Sequence, residues 1–98
     1  MGCQVALRVE ELVLDDWAIE ELWRHRIAAS QVYQVQKNRY VLLRNKRSRR
    51  ATHRMVGLDD GGRMLTICIT PIDRRQRTWQ IVTGWESTAG ERHLYEGR

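Results

Sequence analysis

Apolar residues recur along this chain with two periods, and the change of period divides it. Leu14, Trp17, Ala18, Leu22 and Trp23 fall at helical spacing, and either Asp15 or Asp16 stands where a side chain can cap the first turn. Glu20 precedes Arg24 and Glu21 precedes His25 by four residues, pairs that support an exposed helix face. AASQVYQVQ reads as a second, shorter helix with Val32, Val35 and Tyr33 inward. From Thr52 the period is two: HRMVGL, RMLTICIT and TWQIVTGW predict three strands joined by hairpins at DDGG and DRRQR.

Leu65, Ile67 and Ile69 are expected on one face of the central strand, and Trp79, Ile81, Thr83 and Trp85 on one face of the next. If Val56 and Leu58 face the helices, Arg54 shares their side, and His53 with Met55 lies on the open, concave side. Cys3, Val5, Leu7 and Val9 alternate as in a short strand, while RYVLLR fits a strand or a helix end. In the DDGG turn Gly61 and Gly62 are expected to supply positive φ. Thr88 and Glu91 have capping-box spacing at the head of a last short helix, to which Leu94 and Tyr95 add apolar contacts. The fold class is therefore α+β: a small twisted antiparallel sheet packed on two N-terminal helices, with a short C-terminal helix, in a single domain over residues 1–98.

Charge adds a partner class to this picture. The chain carries a formal charge of +5, and no acid lies between Glu21 and Asp59, an interval that holds Arg24, Arg26, Lys37, Arg39, Arg44, Lys46, Arg47, Arg49, Arg50 and Arg54. Such a field attracts a polyanion, either nucleic acid or an acidic protein. The basic run from Arg44 to Arg50 is expected to be an exposed loop gripping RNA backbone, with a localisation signal as the alternative. His25, His53 and His93 lie far apart, and Cys3 and Cys68 form no CxxC, so the spacing fits neither zinc nor a disulfide framework. No apolar leader pattern opens the chain, and the expected location is the cytoplasm.

Several of these segments together resemble one family. Arg24-His25-Arg26-Ile27 looks like the basic-His-Gly-hydrophobic corner of BrnT-type toxins, THRMVG resembles their arginine-bearing strand, and GRMLTICI resembles their central strand. WQIVTGWESTAGERHLY is similar to their final strand and Ala-x-x-Glu-Arg-x-x-Tyr helix. The likeness runs from about Leu14 to Tyr95, and it departs from the pattern at Arg26 for Gly, Ala28 for a Ser/Thr cap, and Trp85 for Arg.

The resemblance implies a RelE-like fold and a ribonuclease toxin of a type II toxin-antitoxin system that cleaves RNA, on or off the ribosome, without metal or other cofactor. It also implies a small cognate antitoxin, itself able to bind DNA, and an exposed edge strand would permit a homodimer within the complex. A non-catalytic RNA- or DNA-binding module is the alternative, favoured by Trp85.

Metal-free cleavage needs a base for the 2′-hydroxyl, cations for the phosphorane and an acid for the 5′-oxygen. The candidate catalytic residues are His53, Arg54, Glu91, Arg92 and His25; the candidate RNA-binding residues are Arg44, Lys46, Arg47, Arg49, Arg50, Tyr95 and Trp85. His53 reads equally as an acid-base imidazole or as a solvated or capping His, and His25 first as a helix-end residue. Glu91 reads as a capping-box residue or as partner to a phosphate-binding Arg92. Tyr95 and Trp85 each read as a base-stacking or a packing aromatic.

Overall fold

A computed structural model describes residues 8–46 and 50–97. The order is β1 (Glu11–Val13), α1 (Asp16–Arg24), α2 (Ala29–Lys37), β2 (Tyr40–Arg44), β3 (His53–Leu58), β4 (Met64–Pro71), β5 (Thr78–Glu86) and α3 (Ala89–Glu96). One five-stranded sheet runs β1-β5-β4-β3-β2, antiparallel except for β1, which lies parallel to β5. The α+β class is as expected, but the sheet is mixed. Residues 3–7 of the expected first strand lie outside the described residues, whereas RYVLLR is a strand over Tyr40–Arg44.

Both N-terminal helices begin and end for local reasons. Asp15 caps α1, its carboxylate accepting from the Ala18 N–H at 2.8 Å. The helix closes in a Schellman turn: Ile27 N–H reaches Leu22 O, and Arg26 N–H reaches Trp23 O. That turn puts Arg26 at φ 59°, a left-handed conformation that a side chain disfavours. Arg26→Gly is therefore expected to raise stability by about 0.5–1 kcal/mol, the strain relieved less the extra freedom glycine gives the unfolded chain, as read from the urea midpoint. At the start of α2, Gln31 Oε1 accepts from the Ala28 N–H at 2.7 Å, while Ala28 has no side-chain oxygen to complete the box.

The main core lies between these helices and the sheet. Leu22, Ile27, Val32 and Val35 meet Met55, Leu65, Ile67, Ile69, Trp79 and Ile81, and burying each such side chain contributes about 1.5–3 kcal/mol. Gly84 lets α1 approach β5, because a Cβ there would stand 2.8 Å from Leu22 Cδ2. Trp17, Trp23 and Tyr33, expected inward, are instead exposed. Across the sheet a smaller cluster of Leu43, Val56 and Met64 packs under Tyr95 of α3. The sheet is thus covered on one face, and α3 covers only part of the other.

Two expected face assignments change. On β3, Met55 belongs to the helix-side core, so His53 points toward the helices and Arg54 joins Val56 and Leu58 on the other face. On β5, Cys68 pairs with Thr83 but Ile69 pairs with Ile81, which leaves Val82 without a partner on β4. This bulge re-phases the strand: Trp79 and Ile81 face the helices, while Thr83 and Trp85, opposite Cys68 and Thr66, face the other way. In the β3–β4 turn only Gly62 takes positive φ, at 88°. The turn is closed by Asp59, whose carboxylate accepts from the Gly61 and Arg63 N–H groups and from Gln31 Nε2.

Candidate functional site

The part of the open face that α3 leaves bare is a cleft of about 520 Å³. Arg54, Cys68, Thr83 and Trp85 line it from the sheet, Trp17 and Glu21 from α1, and Lys46 and Arg50 from the β2–β3 connection. The flanks of that connection are tied together: Asn45 N–H donates to Thr52 O, Asn45 Nδ2 donates to Ala51 O, and Thr52 N–H donates to Ile69 O.

A buried polar cluster fixes the edge of the cleft. Glu91, only 4% exposed, accepts at Oε1 from Thr66 Oγ1 (2.8 Å), Trp85 Nε1 (3.1 Å) and Thr88 N–H (2.8 Å). Its other oxygen accepts from Arg54 Nη1 at 2.8 Å. Ser87 Oγ lies 2.9 Å from Thr66 Oγ1, where it can donate while Thr66 donates to Glu91. Burial alone would raise the Glu91 pKa, but the donors at Thr88, Thr66, Trp85 and Arg54 outweigh it and hold the carboxyl below its ordinary range. A carboxylate saturated in this way accepts another proton poorly. Its physical role is to aim Arg54 and the Trp85 ring.

Arg54 is not saturated in return. With Nη1 on Glu91, its Nε is buried and has no hydrogen-bond partner among the described residues. A buried unpaired N–H costs free energy, and the part of the guanidinium that an anion in the cleft can reach is the exposed quarter of the side chain, 24% by relative area. Cys68 beside it is chemically quiet, because burial first, and then the Glu91 charge, push its thiol up to about 12.

His53 stands elsewhere. Its ring meets the Trp79 indole edge-on at 5.0 Å, and Nδ1 lies 2.8 Å from Thr52 Oγ1, on the helix side of the sheet. Burial, and secondarily the Arg44 charge, lower its pKa from 6.5. The sign follows: the folded chain favours the neutral ring, so stability is full above 6.5 and falls as the pH drops, because the unfolded chain takes up the proton more readily. Between pH 7 and pH 5 the native chain is expected to lose more stability than a His53→Leu variant, as measured by urea unfolding; parallel losses would contradict this.

The other sequence candidates are dispersed. Arg92 is exposed on α3 beside Glu91 and is not among the cleft-lining residues. Tyr95 is a packing residue: its ring stacks under the Arg39 guanidinium at 4.5 Å, and its hydroxyl donates to Arg39 O at 3.3 Å. His25 caps α1 through its backbone, and its Nε2 lies 3.8 Å from the Glu21 carboxylate. Arg44 ends β2 and is exposed. Arg47 and Arg49 lie outside the described residues. The cleft thus brings together Arg54, Trp85, Lys46 and Arg50, with Glu91 behind them.

Sequence reasoning passed over Glu21, Thr83, Trp17 and Arg63. Glu21 accepts from Thr83 Oγ1 at 3.0 Å, an ordinary helix-face acid made part of the cleft by the β5 bulge. Trp17 lies 4.9 Å beneath the Arg50 guanidinium. Arg63 donates to the carbonyls of His25 and Arg26 at 3.2 and 2.6 Å and so supports the end of α1. Among the described residues no group of three or more His, Cys, Asp or Glu is placed to hold a metal ion, and no helix is long and apolar enough to cross a membrane.

Comparison of the chain with family models, with curated proteins and with solved structures returned no match.

Proposed function

We propose that the cleft binds the sugar-phosphate backbone of RNA, with Arg54 as its phosphate anchor and Lys46 and Arg50 as a cationic rim. One observation carries this reading: a partly exposed guanidinium held in place by a buried carboxylate, at a cleft whose rim is basic. Arg keeps its charge at any working pH and donates from a rigid plane, so with one nitrogen held by Glu91 the guanidinium stays oriented and can still donate to a phosphate oxygen. The acid-free stretch of sequence between Glu21 and Asp59, with a net charge of +5 for the chain, supplies the long-range attraction.

A catalytic form of the reading is favoured by Glu21, a carboxylate in the cleft wall. In that form the chain is a cytoplasmic ribonuclease toxin. Arg54 stabilises the phosphorane, Glu21 takes the 2′-hydroxyl proton, water in the open cleft protonates the departing 5′-oxygen, no metal is required, and an acidic antitoxin segment occupies the basic rim. His53, on the opposite face, and Glu91, saturated with donors, do not take those roles here.

Incubating the purified chain with end-labelled RNA in EDTA separates the two forms. The toxin form predicts 2′,3′-cyclic phosphate ends that disappear in Glu21→Gln. Salt-sensitive binding with intact RNA identifies a binding module, and intact RNA without binding rejects both.

A further inference from the structure

We infer that Trp17 and Arg50 form a nucleobase-stacking subsite at the mouth of the cleft, so that the RNA it takes is single-stranded. The inference rests on the reading of Arg54 as the phosphate anchor. Trp17 is 50% exposed although it sits on a helix whose inward residues, Ala18 and Leu22, are fully buried. An indole left in water on a packed helix invites a partner, and the partner present is the Arg50 guanidinium, 4.9 Å from the ring centroid.

A cation over an aromatic ring is by itself a common surface pair. Here both members line the same cleft as Arg54, whose partly exposed guanidinium is fixed by Glu91 at 2.8 Å. Phosphate anchor, indole face and exposed cation therefore surround one space of about 520 Å³, within the range that takes a small-molecule ligand and sufficient for a nucleotide.

The chemistry selects the occupant. Indole faces and guanidinium planes are the two surfaces on which proteins stack unpaired bases. A base sliding over Trp17 replaces the Arg50 contact on one ring face and lets the guanidinium cover the base from the other side. The opposite indole, Trp85, is tied through Nε1 to Glu91 and forms fixed wall. A duplex cannot use this arrangement, because its base faces are already stacked on their neighbours. An acidic peptide would use the cations but gains nothing specific from Trp17.

The test is a set of equilibrium titrations of the full chain, followed by fluorescence anisotropy, with four labelled probes: a six-residue RNA, an abasic phosphodiester of equal length, an RNA duplex and a polyglutamate peptide. Wild type is expected to bind the single strand about tenfold more tightly than the abasic oligomer and the duplex. Trp17→Ala should lose that preference while keeping abasic binding, and Trp17→Tyr should restore most of it. Trp17 is half-exposed, so these variants are expected to fold, and their urea midpoints verify it.

Equal binding of the single strand by wild type and Trp17→Ala overturns the inference and leaves the phosphate anchor standing. Duplex binding as tight as single-strand binding overturns it too. Polyglutamate bound as tightly as RNA, and equally by Trp17→Ala, assigns the cleft to a protein partner and overturns it. Failure of every anionic probe to bind removes the anchor and the stacking subsite together.

Discussion

Glu91→Ala is expected to destabilise the fold by about 3–5 kcal/mol, the cost of leaving one member of a buried ion pair without its partner. The loss is large because one side chain serves four donors. Without it, Arg54 Nη1, Trp85 Nε1, Thr66 Oγ1 and the Thr88 N–H all lose their acceptor, and the capping box of α3 opens with them. Domains of this size are stable by only about 5–15 kcal/mol, so the variant should unfold well below the wild-type urea midpoint. Glu91→Gln keeps an acceptor but loses the charge, and should cost about 1–3 kcal/mol. A loss under 1 kcal/mol for Glu91→Ala would mean that water replaces the carboxylate and that the cluster does not hold Arg54.

Arg54→Lys is expected to weaken RNA binding about thirtyfold, or roughly 2 kcal/mol, with a smaller effect on folding. Lysine can retain the contact to Glu91 as a point charge, but it cannot hold Glu91 through one nitrogen while presenting others to a phosphate. Lys46→Ala should cost only a few-fold, because its ammonium is exposed and screened by salt. A titration of a labelled RNA with the three proteins reads the contrast. Equal losses for Arg54→Lys and Lys46→Ala would reduce Arg54 to one more surface cation.

Both predictions turn on residues whose types were visible in the chain and whose placement was not. Helices and hairpins were legible because each carries its own local signal: Asp15 before an amphipathic run, Thr88 three residues before Glu91, and DDGG between two alternating segments. The facing of β3 was not legible, because HRMVGL is apolar on both sides. Met55 meets the N-terminal helices and Val56 the cluster under α3, so alternation alone gives no reason to choose. That ambiguity put His53 on the open face and Arg54 against the helices, the reverse of what the packing produces.

The β5 error has a different origin. Trp79, Ile81, Thr83 and Trp85 alternate evenly in sequence, but the unpaired Val82 shifts the phase between them. The nearest signal was Gly84, which fits close against Leu22 where no side chain could. The helix-face pattern of α1 failed in the same way: spacing counts Trp17 and Trp23 as apolar, while the packing buries only Ala18 and Leu22. Of the cleft, the sequence supplied Arg54, Trp85 and the basic rim; the bulge and the exposed indole added Thr83, Glu21 and Trp17 to it.

The measurement that bears most directly on the phosphate cleft is the salt dependence of RNA affinity for wild type and Arg54→Lys. With Arg50 over the base, two cations engaged with phosphates, Arg54 and Lys46, predict a slope of log affinity against log salt of about −1.4 for a single strand. Wild type should follow that slope, and Arg54→Lys should bind more weakly at every salt concentration. Affinity that is independent of salt, or identical for the two proteins, would contradict the account.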